Sequence, residues 1–99
     1  MNTKNTALKE QAAHSEETNT VGSRIRAVLA AHGKLGVDAT ALSDGDDLYA
    51  AGMTSLSSVN VMLALEGEFN IEFPDSMLNR ALFANVAAIQ AAVRKLASD

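Results

Sequence analysis

Gly52-Met53-Thr54-Ser55-Leu56-Ser57-Ser58-Val59-Asn60-Val61-Met62-Leu63-Ala64-Leu65-Glu66-Gly67-Glu68-Phe69 is the stretch on which the fold turns. A glycine turn opens it, Ser55 stands where a helix should begin, and Leu56, Val59, Met62, Leu63 and Phe69 follow at helical spacing. On a wheel advancing about 100° per residue, Ser57, Asn60, Ala64, Gly67 and Glu68 share one side. Leu56, Val59, Val61, Met62, Leu63, Leu65 and Phe69 cover a broad arc opposite. The first set is expected to face solvent and the second the core. Gly67 costs a helix about 1 kcal/mol relative to Ala; beside other small residues it hints at close approach by a partner, and a tolerated glycine near the helix end explains it almost as well. Ser55 falls at the helix N-terminus, where free backbone N–H groups and the positive end of the dipole favour a phosphate or phosphodiester. Serine is also a common N-cap, so a purely structural reading stands beside the functional one.

Toward the C-terminus, Pro74 forces its predecessor out of helix and marks a loop. Asp75 can cap a short helix from about 76 or 77 to 82, with Met77, Leu78 and Leu82 turned inward. Asn85 can cap a last helix through Val86, Ile89, Val93 and Leu96, ending on Arg94 and Lys95, cations that suit the C-terminal dipole. Toward the N-terminus, Val21, Ile25, Val28, Leu29 and His32 recur at helical spacing, with Gly33 as the stop. The long connection from Lys34 to Thr54 takes Leu35, Val37, Leu42 and Leu48 as anchors and a single helical turn at 46–51. Asp44, Asp46 and Asp47 lack the alternating acids and closing Glu of a calcium loop. Residues 1–19 are polar and read as a disordered tail; His14 lies there without a ligand partner, and residues 20–97 form the folded domain.

Ninety-nine residues make one small domain. It is 47% hydrophobic, but with one Tyr, three Phe and no Trp it must build its core from aliphatics and Ala, which pack as helices. Four apolar stripes of unequal length fit an all-α antiparallel bundle of three main helices with a short third helix across it. There is no Cys, so disulfides, thiolate metal sites and thiol nucleophiles are excluded together. No apolar run reaches the roughly 20 residues that span a bilayer, and no signal pattern opens the chain, so a cytoplasmic location is expected. The formal net charge is −4, and between Leu35 and Asn79 eight acids meet no Lys or Arg. Such a field attracts basic partner surfaces and repels nucleic acid; an acidic surface that only confers solubility is the plainer alternative.

Taken together, Gly52-Met53-Thr54-Ser55-Leu56, Val59, Met62-Leu63-Ala64-Leu65-Glu66, Glu68-Phe69, Ile71 and Phe73-Pro74-Asp75 resemble the phosphopantetheine site of acyl and peptidyl carrier proteins. The resemblance covers Val21 to Leu96. It implies an acyl-carrier-like helical bundle in which a phosphopantetheinyl transferase moves 4'-phosphopantetheine from coenzyme A to Ser55, whose arm then holds an acyl or aminoacyl group as a thioester. No catalytic residue and no metal are implied. The same resemblance suggests a partner-docking face of Thr54, Leu56, Ser57, Asn60, Ala64, Gly67 and Glu68, and a cargo groove lined by Met62, Ile71, Met77 and Leu82. Thr54 stands where the family usually has Asp, and Ser57, Asn60 and Gly67 stand where fatty-acid carriers are often acidic. With the run Phe73 to Arg80, these departures look more like the stand-alone carriers charged with amino acids by ligases similar to seryl-tRNA synthetases. The expected partners are therefore the transferase, an acyl- or amino-acid-loading ligase and downstream transferases, with the carrier a monomer. Two other functions compete. One is an acidic helical interaction module in which Ser55 only caps a helix. The other, a serine hydrolase, lacks Gly-x-Ser-x-Gly and a well-placed histidine.

Overall fold

The computed structural model describes residues 20–98, so the expectations for the first nineteen residues, His14 included, lie outside the described residues. Three α-helices form the frame: α1 (Val21–His32), α2 (Ser55–Phe69) and α3 (Val86–Ser98). Among the described residues there is no strand. Helix α1 packs against both α2 and α3. Its buried residues Ile25, Val28 and Leu29 meet Val61 and Leu65 of α2 and Val86, Ile89 and Val93 of α3 in one core. Each fully buried side chain of this size contributes about 1.5–3 kcal/mol of transfer free energy.

The helix ends explain the bounds. Thr20 caps α1, its Oγ1 accepting the Ser23 N–H at 3.2 Å. Helix α1 stops at Gly33 as expected, but Gly33 itself stays right-handed (φ −78°) and Lys34 takes the left-handed turn (φ 54°). Asn70 (φ 54°) ends α2, a left-handed position that Asn tolerates better than most residues. Asn85 starts α3 by accepting the Ala88 N–H at 2.7 Å.

The connection from 34 to 54 is stitched down rather than loose. Asp38 accepts the hydroxyl and N–H of Thr40 at the head of a 3₁₀ turn, Ala39–Ala41. Those two bonds hold the Asp38 carboxyl below its ordinary range, the hydroxyl first and the N–H second. The helical turn expected at 46–51 forms, with the Ala51 N–H on the Asp47 carbonyl, and Asp47 Oδ1 accepts the N–H groups of Tyr49 and Ala50. Leu48 is fully buried, and its N–H reaches the Ala84 carbonyl at 2.8 Å. Val37 is 52% exposed and anchors nothing; buried Ala39 and Met53 serve instead.

Two differences from expectation lie in and after α2. The short helix expected over 76–82 is replaced by two 3₁₀ turns, Asp75–Met77 and Arg80–Phe83. Asn79 separates them: its extended backbone (φ −143°, ψ 173°) and its Oδ1, which accepts the Leu82 N–H, restart the turn. Leu78 consequently faces outward, Met77 is half-buried and Leu82 is buried. The broad apolar arc of α2 is also buried on one side only. Leu56, Val59 and Leu63 are 77%, 47% and 55% exposed, while Ser57 and Ser58 turn inward. A helix at the edge of a three-helix frame has one core-facing stripe, and here the row Ser57-Val61-Leu65 takes it.

Candidate functional site

The turn from Ala51 to Thr54 places Ser55. Gly52 adopts φ +123°, and a Cβ there would lie 3.0 Å from the Gly36 backbone N, so both conformation and space call for glycine. The Gly36 N–H donates to the Ala51 carbonyl at 2.8 Å, holding the 34–37 loop against this turn. Met53 is buried and donates its N–H to the Leu48 carbonyl. Thr54 is the N-cap of α2, so Ser55 is the first helical residue and not the cap. Thr54 Oγ1 accepts the Ser57 N–H at 3.1 Å and the Thr54 N–H donates to Ser57 Oγ at 2.9 Å, a reciprocal capping box. The threonine thus performs the capping that an aspartate would otherwise perform.

The Ser55 side chain is exposed, and among the described residues its hydroxyl has no hydrogen-bond partner. Its own carbonyl is held by Ser58 Oγ at 2.7 Å. The N–H groups of Ser55 and Leu56 precede the first helical bond, adding donors at the positive end of the dipole. An exposed, unengaged hydroxyl in that setting suits a covalently attached phosphodiester: the oxygen is accessible, and the backbone around it stabilises negative charge.

Beside Ser55 lies an open cavity of about 430 Å³, lined by Tyr49, Ser58, Val59, Met62, Leu78, Asn79, Arg80 and Phe83 as well as by Ser55 itself. Of the groove residues expected from the sequence, Met62 lines it. Ile71 and Met77 pack half-buried against the core, and Leu82 belongs to the core. Sequence reasoning missed the opposite wall because that wall depends on the Asn79 restart, which turns Leu78 and Arg80 outward. A capping Asn five residues after Pro74 was the available signal.

The expected docking residues separate in the same way. Leu56, Asn60 and Gly67 share the exposed side of α2 with Val59 and Leu63, and Thr54 is exposed at its start. Ala64 is half-buried. Ser57 is only 3% exposed and engaged in the cap, so it is no docking residue. Glu68 points to α1, bridged to Arg24 at 2.8 Å. Among the described residues no group of three or more His, Asp or Glu could hold a metal ion. No described helix is long and apolar enough to cross a membrane.

Comparison with known proteins places this geometry in context. Residues 23–93 match the family model described as phosphopantetheine attachment site. An aminoacyl carrier protein of Agrobacterium fabrum is 47% identical over 70 residues, covering 71% of this chain and 84% of the relative. The fold superposes with a TM-score of 0.72 on a chain from the crystal structure of an engineered Bradyrhizobium japonicum glycine:[carrier protein] ligase complexed with a carrier protein from Agrobacterium tumefaciens and AMP. That match is 45% identical and covers 74% of this chain and 97% of the other. A solution structure from Agrobacterium tumefaciens matches with a TM-score of 0.64 at 43% identity, over 78% of this chain and 93% of that one.

Proposed function

The chain belongs to the phosphopantetheine attachment site family, and from that premise we propose that Ser55 is the residue that carries the 4'-phosphopantetheine arm. When attached, the arm supplies a terminal thiol that holds an acyl or aminoacyl cargo as a thioester. The observation that supports Ser55 is its free, exposed hydroxyl at the first position of α2, relieved of capping by Thr54 and Ser57. In the attachment step the Ser55 oxygen forms a bond to the pantetheine-bearing phosphorus of coenzyme A. The bond from that phosphorus to the bridging oxygen breaks, 3',5'-ADP departs, and the hydroxyl proton passes to a base of the transferase. The chain's own residues orient the hydroxyl and present the finished arm; the bond-making groups belong to the enzymes it visits.

The cargo we assign is an amino acid, loaded by an amino acid:[carrier protein] ligase. Similarity to a carrier crystallised with a glycine ligase supports this assignment. The neutral, apolar outer face of α2 supports it too, since Leu56, Val59 and Leu63 offer a partner helix a row of exposed aliphatics with Gly67 permitting close approach. Intact-mass measurement after incubation with a transferase and coenzyme A tests the attachment: the wild-type chain gains one phosphopantetheine and Ser55→Ala gains none. An Ala variant that still gained the arm would place it elsewhere, and a wild-type chain that never gained it would leave an interaction module. Incubating the modified protein with ligase, ATP and glycine or alanine tests the cargo. Loading only by an acyl-carrier synthetase or a malonyl transferase would exclude the aminoacyl assignment.

A further inference from the structure

Arg80 lines the cavity beside Ser55, and among the described residues no acidic side chain lines it. The guanidinium lies over the Tyr49 ring, 3.8 Å from the centroid. Stacking of this kind uses the flat face of the group and leaves the N–H donors at its edge available. Among the described residues no carboxylate lies within ion-pair distance of Arg80, whereas Arg24 and Arg26 are paired with Glu68 and Asp44. Asp47 shares a neighbouring recess with Tyr49 and Arg80, but its Oδ1 already accepts two backbone N–H groups. Arg80 is also the first cation after Lys34, at the end of the segment that holds eight acids. An arginine with no acidic partner among the described residues, in an acidic domain, on the wall of the cavity that Ser55 also lines, is suited to an anion arriving from outside the chain.

We infer that Arg80, held flat on Tyr49, is a positioning residue for the arm: its N–H fork receives the phosphodiester oxygens on Ser55 and sets the direction in which the arm leaves the helix. The inference rests on Ser55 being the attachment residue. A planar guanidinium pairs with two phosphate oxygens at once, which fixes orientation where a lysine would supply only charge. The bland alternative is an arginine that merely covers Tyr49, with its cation left to solvent.

The test uses the full-length chain before and after modification, with the attachment verified by intact mass. The Arg80 Nε–H resonance is followed by 15N NMR and the phosphodiester by 31P NMR. Modification is expected to move the Arg80 Nε–H resonance at low ionic strength, and the shift is expected to collapse at about 1 M salt, where the screening length is about 3 Å. In modified Arg80→Gln the 31P resonance should move toward its value in the same protein unfolded in denaturant, while Arg80→Lys should fall between. An Nε–H resonance that ignores the arm, or moves equally at low and high salt with the 31P line of Arg80→Gln unchanged, overturns the inference even though Ser55 is modified. Should Arg80→Gln fail to fold, the salt dependence in the wild-type protein decides alone. Absence of any mass gain would instead overturn the attachment itself, so the two failures are distinguishable.

Discussion

Thr54 and Ser57 exchange two hydrogen bonds across the first turn of α2, and that exchange leaves the hydroxyl between them unengaged. Three neighbouring hydroxyl residues therefore have different energetic roles. Thr54→Ala removes the acceptor for the Ser57 N–H and should lower stability by about 1 kcal/mol. Thr54→Asp keeps an acceptor at the same place and should remain near wild type. Ser55→Ala removes an exposed group with no partner and should stay within about 0.5 kcal/mol of wild type, the ordinary range for such surface changes. Urea unfolding of the unmodified proteins checks all three. A Ser55→Ala loss as large as that of Thr54→Ala would mean that Ser55 is the cap after all. The identity of the cap was half legible: a hydroxyl residue after Gly52 announced a helix start, but Thr54 and Ser55 are both good caps, and only the backbone of Thr54 (φ −109°, ψ 170°) decides between them.

Helix α2 carries more apolar surface than its position can bury, and the excess forms the row Leu56, Val59 and Leu63. If that row is the ligase surface, Leu63→Ala should change unfolding free energy by no more than about 0.5 kcal/mol. The same change should raise the ligase KM for the modified carrier about tenfold, the equivalent of about 1.4 kcal/mol lost from a contact that exists only in the complex. Steady-state loading kinetics beside urea titration separate the two, and a variant that loses stability without a KM change would put Leu63 in the fold instead. The helices themselves were legible where an end has a chemical signature, Gly33 after α1 and the Asn85 cap of α3, whereas α2 stops at left-handed Asn70, an end that periodicity alone does not mark. The face of α2 was not. Wheel geometry ranks residues by hydrophobicity, whereas the inward serines satisfy their hydroxyls locally, Ser57 in the cap and Ser58 on the Ser55 carbonyl, and so lie buried without an unpaired polar atom. The cavity wall at Leu78 and Arg80 was hidden for a related reason, since a capping Asn79 inside an otherwise helical pattern splits one expected helix into two turns.

Across the whole molecule, the acidic centre acts mainly within the chain. Six of its eight acids accept hydrogen bonds from the chain itself: Asp38 from Thr40, Asp44 from Arg26, Asp46 from the Ser43 N–H, Asp47 from Tyr49 and Ala50, Glu66 from the Phe73 N–H, and Glu68 from Arg24. They hold the long connection and the helix ends in place. Glu72 and Asp75 are exposed in the connection that follows α2. The exposed row Leu56, Val59 and Leu63 is itself neutral, and of the eight acids only Asp44 and Glu68 are matched by cations among the described residues, so the other six keep an unbalanced negative charge. If the aliphatic row, and not this remaining charge, brings the ligase, association should depend little on ionic strength. Raising salt until the screening length falls from about 10 Å to about 3 Å should leave the ligase KM within about a factor of three. The same change should weaken the Arg80 contact with the phosphodiester, because that pair is exposed and charged on both sides. Measuring KM and the Arg80 Nε–H shift over one salt series tests both expectations together. A KM that climbed steeply with salt would show that the carboxylates, and not the aliphatic row, bring the partner to Ser55.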